Sequence, residues 1–238
     1  MRPAVVAQLL QLNHVFYEQM AAPFAGSRQK PWPGFVKLSR WLPAECPDLL
    51  DVGCGEGRLG RFLQQSRRIQ TYTGVDFSQS LLQIAQAQTV GTFWQRDLSQ
   101  PGSLDGLPHY AGITCLATLQ HIPGRTNRLR LLQEMTAHLK PAGRLILANW
   151  QFLHSARQQR KLSRWEEIGL TAADVEPNDY LLTWQRNGFA RRYVCLIDTA
   201  ETVALAAAAG LTVLRQFHSD GREGNLNLYT VLSQTNAA

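Results

Sequence analysis

The chain has 238 residues, 45% of them hydrophobic, and a formal net charge of +6 at pH 7. A chain of this size buries one well-filled core and is too short for two ordinary domains, so we expect a single domain over residues 1–238. The positive charge, carried mostly by arginine, favours anionic partners such as phosphate or carboxylate, although a solvated basic surface would give the same balance.

The cysteines and the apolar segments argue against a metal site and a membrane segment. The four cysteines are Cys46, Cys54, Cys115 and Cys195, and no histidines lie near them at zinc-ligand spacing. We therefore expect no metal and a reduced, cytoplasmic protein. The N-terminal apolar stretch is interrupted by polar residues at helical spacing, which predicts an amphipathic helix rather than a signal peptide. Residues 202–214 form the most apolar later stretch, but Gly210 breaks it and it is too short to span a bilayer.

The order of predicted elements indicates an α/β fold. Residues 1–42 predict two helices joined by a loop, an N-terminal helical cap. From residue 48 onward, short apolar runs alternate with amphipathic helical patterns, which is typical of a parallel sheet with crossover helices. Strands are predicted at 48–52, 71–75, 92–95, 112–117, 144–150, 211–217 and 226–232, and helices near 58–66, 79–88, 125–139 and 199–209.

These elements predict a doubly wound, seven-stranded, mostly parallel sheet. The last two strands are joined by a Gly-rich turn without a helix, so we expect them to pair antiparallel. Residues 152–192 form a polar insertion after the fifth strand, with several Arg and Trp residues. Open α/β sheets bind ligands at the carboxyl ends of their strands, so we expect the cap and the insertion there, with the insertion contacting the substrate.

The segment LLDVGCGEGRLGRFL at residues 49–63 carries the strongest motif. An apolar strand ends near Asp51, and Gly53, Gly55 and Gly57 follow it into a helix. Such glycines let the backbone turn sharply and approach a ligand, while the helix start presents free N–H groups. A Gly-rich turn alone would also suit a nucleotide dehydrogenase. The full D-x-G-x-G-x-G pattern resembles motif I of the class I S-adenosylmethionine-dependent methyltransferases.

Later segments extend this resemblance in the expected order. YTGVDFS places Asp76 at the end of the second strand, where a carboxylate can accept hydrogen bonds from both ribose hydroxyls. FWQRDLS places Asp97 after the third strand, where the family uses an acid to accept from the adenine amino group. The fourth strand ends at Ala117 and is followed by the family's cofactor-lining loop, and LKPAGRLIL resembles the family's turn before the fifth strand.

The resemblance covers about residues 45–150. It implies a Rossmann-like methyltransferase fold with S-adenosyl-L-methionine as the cofactor. It also implies a set of cofactor contacts: Asp51, Gly53, Cys54, Gly55, Gly57, Asp76, Phe77, Ser78, Asp97, Leu98, Ala117 and His121. A cysteine could instead be a covalent nucleophile of the kind used on pyrimidine C5, but the position of Cys54 inside the cofactor loop favours a packing role.

A second, narrower resemblance covers nearly the full length. FYEQMAAPFAGSRQKPWP at residues 16–33 resembles the N-terminal signature of the tRNA methyltransferases that esterify a carboxymethyl group on the wobble uridine. LQHIPGRTNRLRLLQEM, DYLLTWQ and LNLYTVL resemble later elements of the same family. The resemblance implies tRNA as a partner and a carboxylate held by Arg28 and Arg192, with His121 and Asn227 orienting it. A carboxylate is already ionised at neutral pH, so no general base is needed.

The sequence leaves two other functions open. A small-molecule O-methyltransferase would act on a hydroxyl and would need a base, for which His121 is the best placed candidate. A cofactor-binding protein without catalysis is disfavoured by the intact glycines and acids.

The second resemblance also suggests a small activator subunit as a partner. In eukaryotic members of the resembled family, a small zinc-binding activator adds to the sheet edge near the third strand. Residues 90–94 are apolar enough to permit such pairing, although an ordinary buried strand has the same composition.

Overall fold

The computed structural model describes residues 1–21, 26, 30–44, 46–185 and 188–235. Its centre is a seven-stranded sheet in the order β3-β2-β1-β4-β5-β10-β9. The first five of these strands pair in parallel, and β10 is antiparallel to both of its neighbours. The strands of this sheet are β1 Cys46–Val52, β2 Ile69–Asp76, β3 Thr92–Gln95, β4 Tyr110–Leu116, β5 Leu139–Trp150, β9 Leu211–Ser219 and β10 Asn227–Gln234.

Helices cover both faces of the sheet, as a doubly wound fold requires. The helices are α1 Pro3–Gln19, α2 Pro33–Ser39, α3 Arg58–Gln65, α4 Gln79–Gln88, α5 Arg125–Ala137, α6 Ala156–Gln159 and α7 Thr199–Ala208. One face packs against α5 and α7 through residues such as Leu131 and Leu205, and the other packs against α2 and α3 through Leu38 and Leu63. The predicted fold is therefore confirmed, including the antiparallel final pair.

The largest difference in the main sheet is the start of β5, which was predicted at residue 144 and lies at Leu139. The register between β4 and β5 shifts between Tyr110 and Gly112. Within the early part of β5, Ala142 has a positive φ of 61°. The shift is a property of how β4 pairs with β5, so the residue pattern of β5 alone did not predict it.

The insertion forms a second sheet that the sequence did not predict. Its antiparallel strands are β6 Leu162–Ser163, β7 Asp179–Trp184 and β8 Ala190–Cys195, in the order β6-β7-β8. The last strand extends beyond the predicted end of the insertion at residue 192. The side-chain carbonyl of Asn13 in α1 accepts a hydrogen bond from the backbone N–H of Tyr193 at 2.8 Å, so the cap is fixed to the insertion.

The other end of the cap is attached to the final hairpin. The Asp220 carboxylate accepts hydrogen bonds from the backbone N–H of Gly34 at 2.7 Å, the amide of Asn227 at 2.8 Å and the hydroxyl of Tyr229 at 2.6 Å. The cap therefore lies over the carboxyl ends of the parallel strands, as expected. Within the described ranges, no helix has the length and apolar character needed to cross a membrane.

Candidate functional site

A cavity of about 780 Å³ opens at the carboxyl ends of the parallel strands, within the usual range for ligand sites. Side chains from the glycine loop, the cap, the insertion and the final hairpin line it. We define its cofactor end by Asp51, Gly53, Gly55, Asp76 and Asp97, and its acceptor end by His121, Trp150, Lys161, Arg192 and Asn227.

The glycine loop approaches the next strands closely. Gly53 has a positive φ of 77°, and a Cβ there would lie 2.1 Å from the Thr118 side-chain oxygen, so only glycine fits without movement. The N–H groups of Gly53 and Cys54 both donate to the carbonyl of Val75, at 2.8 and 3.0 Å. A Cβ at Gly55 would meet nothing within 4 Å, so this part of the loop faces open space. The loop is a cradle of the kind predicted for a nucleotide-bearing cofactor.

Asp76 is buried beside this cradle. Its carboxylate accepts hydrogen bonds from the N–H of Gly55 at 2.8 Å and the N–H of Ser78 at 3.0 Å. Burial, partly offset by these hydrogen bonds, raises the pKa of Asp76 to about 6. Asp76 thus joins the loop to the end of β2 and presents a carboxylate at the wall of the cavity.

Asp51 lies beneath the loop with both carboxylate oxygens engaged. It accepts hydrogen bonds from the hydroxyls of Tyr72 and Thr114, each at 2.7 Å. Burial raises the pKa of Asp51 to about 6. Its carboxyl group is held by neighbouring strands, so any influence on a ligand is electrostatic.

The predicted adenine-side residues also line the cavity. Asp97 accepts from the N–H and the hydroxyl of Ser99 at 3.0 and 2.6 Å, and Leu98 follows it along the wall. The ring of Phe77 stacks on His14 of the cap, with ring centroids 4.5 Å apart. The cap therefore closes the cofactor end from above.

Some predicted cofactor residues have other roles in the structure. Gly57 and Ser78 are absent from the cavity wall. A Cβ at Gly57 would lie 2.7 Å from the Thr89 hydroxyl, so this glycine allows the packing of α3 on α4, and Ser78 caps α4 by accepting from the N–H of Leu81.

Cys54 lines the cavity, but its thiol lies in a buried and acidic environment. Burial, followed by the nearby carboxylates of Asp76 and Asp51, raises its pKa well above the usual value. A thiolate nucleophile is therefore disfavoured, in agreement with the packing role. Ala117 lines the same region with a positive φ of 54°.

His121 lies where the cofactor end meets the acceptor end, and both of its ring nitrogens have protein partners. Nδ1 lies 3.0 Å from the carbonyl oxygen of Tyr193, and Nε2 lies 2.9 Å from the hydroxyl of Tyr17. A carbonyl can only accept, so Nδ1 carries the proton in the neutral ring and Nε2 accepts from Tyr17. This arrangement fixes the orientation of the imidazole.

Arg192 is the most unusual charge in the cavity. It is 5% exposed, and its guanidinium carbon lies 4.8 Å from the ring centre of Trp150 and 5.1 Å from that of Phe16. Its Nε is buried without a hydrogen-bond partner, and no carboxylate of the described chain forms an ion pair with it. The interaction with aromatic rings offsets only part of the cost of burying a charge. The arrangement is suited to an anionic ligand.

Two predicted site residues remain, Asn227 and Arg28. Asn227 lines the cavity next to Asp220, to which its side-chain amide donates. Arg28 lies outside the described residues.

Sequence reasoning missed Trp150 and Lys161 of the acceptor end, and it also missed Arg157 and Asp220, which line the same cavity. Arg157 and Lys161 had no distinguishing signal, since a charged residue in a polar insertion is usually solvated. Asp220 had one weak signal, its place beside Gly221 in a Gly-rich turn, and it has a positive φ of 69°.

Comparison with known proteins agrees with this geometry. A family model described as a methyltransferase domain matches residues 50–145, which contain the glycine loop, both buried acids and the end of β4. Residues 50–145 are a methyltransferase domain, and its cofactor is S-adenosylmethionine. In this methyltransferase the matched part is the cofactor end, and the cap, the insertion and the final hairpin lie outside it.

Individual relatives are distant. A protein of Encephalitozoon cuniculi that is named as a methyltransferase is 28% identical over 203 residues, which are 84% of this chain and 87% of the relative. The tRNA (carboxymethyluridine(34)-5-O)-methyltransferase ALKBH8 of Macaca fascicularis is 27% identical over 150 residues, 62% of this chain. The matched segment is 21% of that relative's length, so the chain spans about a fifth of it.

A solved structure supports the fold over nearly the whole chain. A methyltransferase in complex with the Haloferax volcanii Trm112 methyltransferase activator superposes with a TM-score of 0.67 at 17% identity. The match covers 94% of this chain and 98% of the other.

Proposed function

We propose that this methyltransferase esterifies a carboxylate, and that the carboxylate belongs to a carboxymethyl group on the wobble uridine of tRNA. The observation that carries the proposal is the state of Arg192, a buried cation in the cavity with aromatic rings around it and no carboxylate partner in the described chain. A guanidinium can hold a carboxylate by two parallel charge-assisted hydrogen bonds, which would complete its environment.

The residues at the cofactor end suit S-adenosyl-L-methionine. Asp76 would accept from the ribose hydroxyls, Asp97 would accept from the adenine amino group, and the open face at Gly55 leaves room for close approach of the backbone. When bound, the cofactor supplies an electrophilic methyl group on a positively charged sulfur. The buried carboxylates of Asp51 and Asp76 favour positive charge at this end of the cavity.

The proposed reaction forms a bond between a carboxylate oxygen and the methyl carbon while the carbon–sulfur bond breaks and its electron pair stays on sulfur. No proton moves, so the protein has to orient the carboxylate within about 3 to 3.5 Å of the methyl carbon, in line with the breaking bond. Arg192 would hold the carboxylate, and Trp150 and Phe16 would limit the access of water to it.

The state of His121 disfavours the alternative, a small-molecule O-methyltransferase. A hydroxyl acceptor needs a base with an available lone pair, and Nε2 of His121 already accepts from Tyr17. We propose instead that His121 and Tyr17 form a fixed wall beside the carboxylate. Asn227, held by Asp220, would donate to the carboxylate with its remaining amide hydrogen.

Three observations support tRNA as the carrier of the carboxylate. The net charge is +6, the N-terminal segment resembles the wobble-uridine family, and the Macaca relative is named as a tRNA methyltransferase. In the resembled family, the position that corresponds to Arg28 is the other arginine expected to hold the carboxylate.

We also propose that a small activator protein adds to the outer edge of β3. This strand ends the sheet, and Val90 and Trp94 are 82% and 47% exposed. An unpaired strand edge with exposed apolar side chains is suited to strand addition by a partner. The Haloferax neighbour, which is described with its Trm112 activator, gives the comparison for this role.

The decisive experiment uses labelled S-adenosyl-L-methionine and tRNA that carries unesterified carboxymethyluridine, with and without the activator. The expected product is a methyl ester, so mild alkali should release the label as methanol. An alkali-stable label on tRNA would indicate an ether or amine product and would contradict the carboxylate. Methylation of a small phenol with no labelling of tRNA would favour the alternative function.

A further inference from the structure

We infer that Arg157 and Lys161 form a phosphate-binding pair at the mouth of the acceptor end, so that the preferred acceptor is a nucleotide within an RNA strand rather than a free nucleoside. This inference rests on the proposed function. Both residues belong to the insertion, Arg157 in α6 and Lys161 just before β6, and both line the cavity.

Three cations of the insertion lie at different depths in the cavity. Arg157 is exposed, Lys161 is half-buried and Arg192 is buried. The backbone at Lys161 is fixed, because its carbonyl accepts hydrogen bonds from the N–H and the hydroxyl of Thr183 at 2.8 and 3.2 Å. The backbone at Lys161 therefore has a defined position between solvent and the deep cation.

The charge around Lys161 is uncompensated. Its pKa is lowered, first by burial and then by repulsion from Arg192 and Arg157. The described chain provides no acidic partner for Lys161 or Arg157. A fold that keeps like charges close together without a carboxylate between them is suited to more than one anionic group of a ligand.

Other cations of the same insertion do have acidic partners. Arg164 forms an ion pair with Glu166, and Arg191 forms one with Glu167. Of the described cations of the insertion that form no ion pair, Arg157, Lys161 and Arg192 line the cavity, and Arg160 is exposed outside it. Arg192 is sufficient for one carboxylate, so the charge of Arg157 and Lys161 is left for a second anion nearer to solvent.

The surroundings of Lys161 indicate what kind of anion this is. Its ammonium nitrogen lies 5.9 Å from the ring centre of Trp184, whose side chain is half-buried in the same cavity. Sites for single-stranded nucleic acid combine cations that contact the backbone with aromatic rings that contact bases. A phosphodiester next to the modified uridine fits this combination, since it carries one negative charge outside the base.

The test compares an acceptor that contains phosphodiesters with one that contains none. One is a synthetic anticodon stem-loop RNA with 5-carboxymethyluridine at the wobble position, and the other is the free nucleoside 5-carboxymethyluridine. Lys161→Gln and Arg157→Gln are assayed on both, with Arg67→Gln as the control. Arg67 is an exposed cation in the turn between α3 and β2, at the opposite end of the strands from the cavity.

For Lys161→Gln we expect the KM for the stem-loop to rise about tenfold with kcat unchanged, and the slope of log affinity against log salt to fall by about one. The KM for the nucleoside should change much less than the KM for the stem-loop. The affinity for S-adenosylhomocysteine should stay at the wild-type value, which also shows that the variant is folded. Arg157→Gln should act in the same direction with a smaller effect, because Arg157 is exposed. Lys161→Arg should keep the stem-loop KM within about twofold.

Several results would overturn the inference alone. Equal losses on the nucleoside and the stem-loop would mean that Lys161 contacts the carboxylate, and an unchanged stem-loop KM in Lys161→Gln would mean that it contacts neither group. An effect of the same size in Arg67→Gln would mean that overall charge is responsible. A wild-type protein that methylates neither acceptor would instead refute the proposed function, and the inference with it.

Discussion

The two ends of the cavity bury charges of opposite sign. The cofactor end buries the carboxylates of Asp51 and Asp76, and each of them accepts two hydrogen bonds from hydroxyls or backbone N–H groups of the chain. The acceptor end buries the guanidinium of Arg192, whose Nε has no hydrogen-bond partner in the described chain. The buried charges of the cofactor end have partners within the protein, whereas the buried charge of the acceptor end is left for a ligand.

This contrast follows from where the residues come from. The cofactor end is assembled from consecutive strand ends of one sheet, so hydrogen bonds within that sheet stabilise its charges. The acceptor end adds residues of the insertion and the final hairpin to those that follow β4 and end β5, and these parts meet only in the folded chain. The first end can therefore be shared by methyltransferases with many acceptors, whereas the second end determines which acceptor is bound.

The largest expected effect is at the acceptor end. Arg192→Met should lower kcat for the carboxylate acceptor by roughly 100-fold, because the oriented charge is lost. The free energy of unfolding should stay the same or increase, because an apolar side chain replaces a buried unpaired charge. Thermal unfolding and steady-state kinetics measure the two quantities. A large loss of stability would show that Arg192 supports the fold rather than the acceptor.

Next in size is the loss of the ribose acceptor at the cofactor end. Asp76→Ala should weaken binding of S-adenosylhomocysteine by about 10- to 100-fold, since hydrogen bonds to a charged group contribute about 1.5–3 kcal/mol. Calorimetry measures this affinity. Arg192→Met is the matched control and should bind with wild-type affinity. If both variants lose cofactor affinity equally, the two ends are not independent.

A pH titration gives a smaller effect with a defined sign. The pKa of Asp76 is about 6 in the folded protein, so its carboxyl is protonated below that pH and can no longer accept both ribose hydroxyls. Affinity for S-adenosylhomocysteine should therefore fall about tenfold between pH 7 and pH 5. Asp76→Asn should remove this dependence. A wild-type affinity that is flat over this range would contradict the ribose role.

The same raised pKa values predict how the stability of the ligand-free protein depends on pH. Asp51 and Asp76 have pKa values of about 6 when folded, against an ordinary value of 3.8. Between about pH 4 and pH 6 the native state binds more protons than the unfolded state, so the contribution of these groups to stability falls as pH rises. Urea unfolding should show this slope in the wild type, and Asp76→Asn should reduce it. An equal slope in both proteins would argue against Asp76 as a source.

The smallest effect on the isolated protein is expected at the β3 edge. Trp94→Lys changes a side chain that is 47% exposed, so the free energy of unfolding should change by no more than about 0.5 kcal/mol. Co-purification with the small activator should nevertheless be lost, because a charge on an edge strand opposes strand addition. Retained co-purification would place the activator elsewhere.

Sequence alone predicted the cofactor end far better than the acceptor end. The main sheet, its helices and the positions of Asp76 and Asp97 follow from short patterns, because a strand end and the turn after it are neighbours in the chain. Arg157 and Lys161 were missed because their significance depends on the absence of acidic neighbours, which is a property of the packed structure. The sheet of the insertion was missed because β6 contains only two residues.

The cap also has a consequence for the time course of folding during synthesis. Asn13 bonds to Tyr193 across 180 positions, and Gly34 bonds to Asp220 across 186 positions. At about 5–20 residues per second, α1 leaves the ribosome roughly 10–40 s before its partner strand exists. During that interval α1, whose buried residues include Leu9 and Phe16, lacks the part of its native packing surface that β8 provides. A nascent chain arrested before residue 190 should therefore recruit holdase chaperones through its first helix, and release them when β8 emerges.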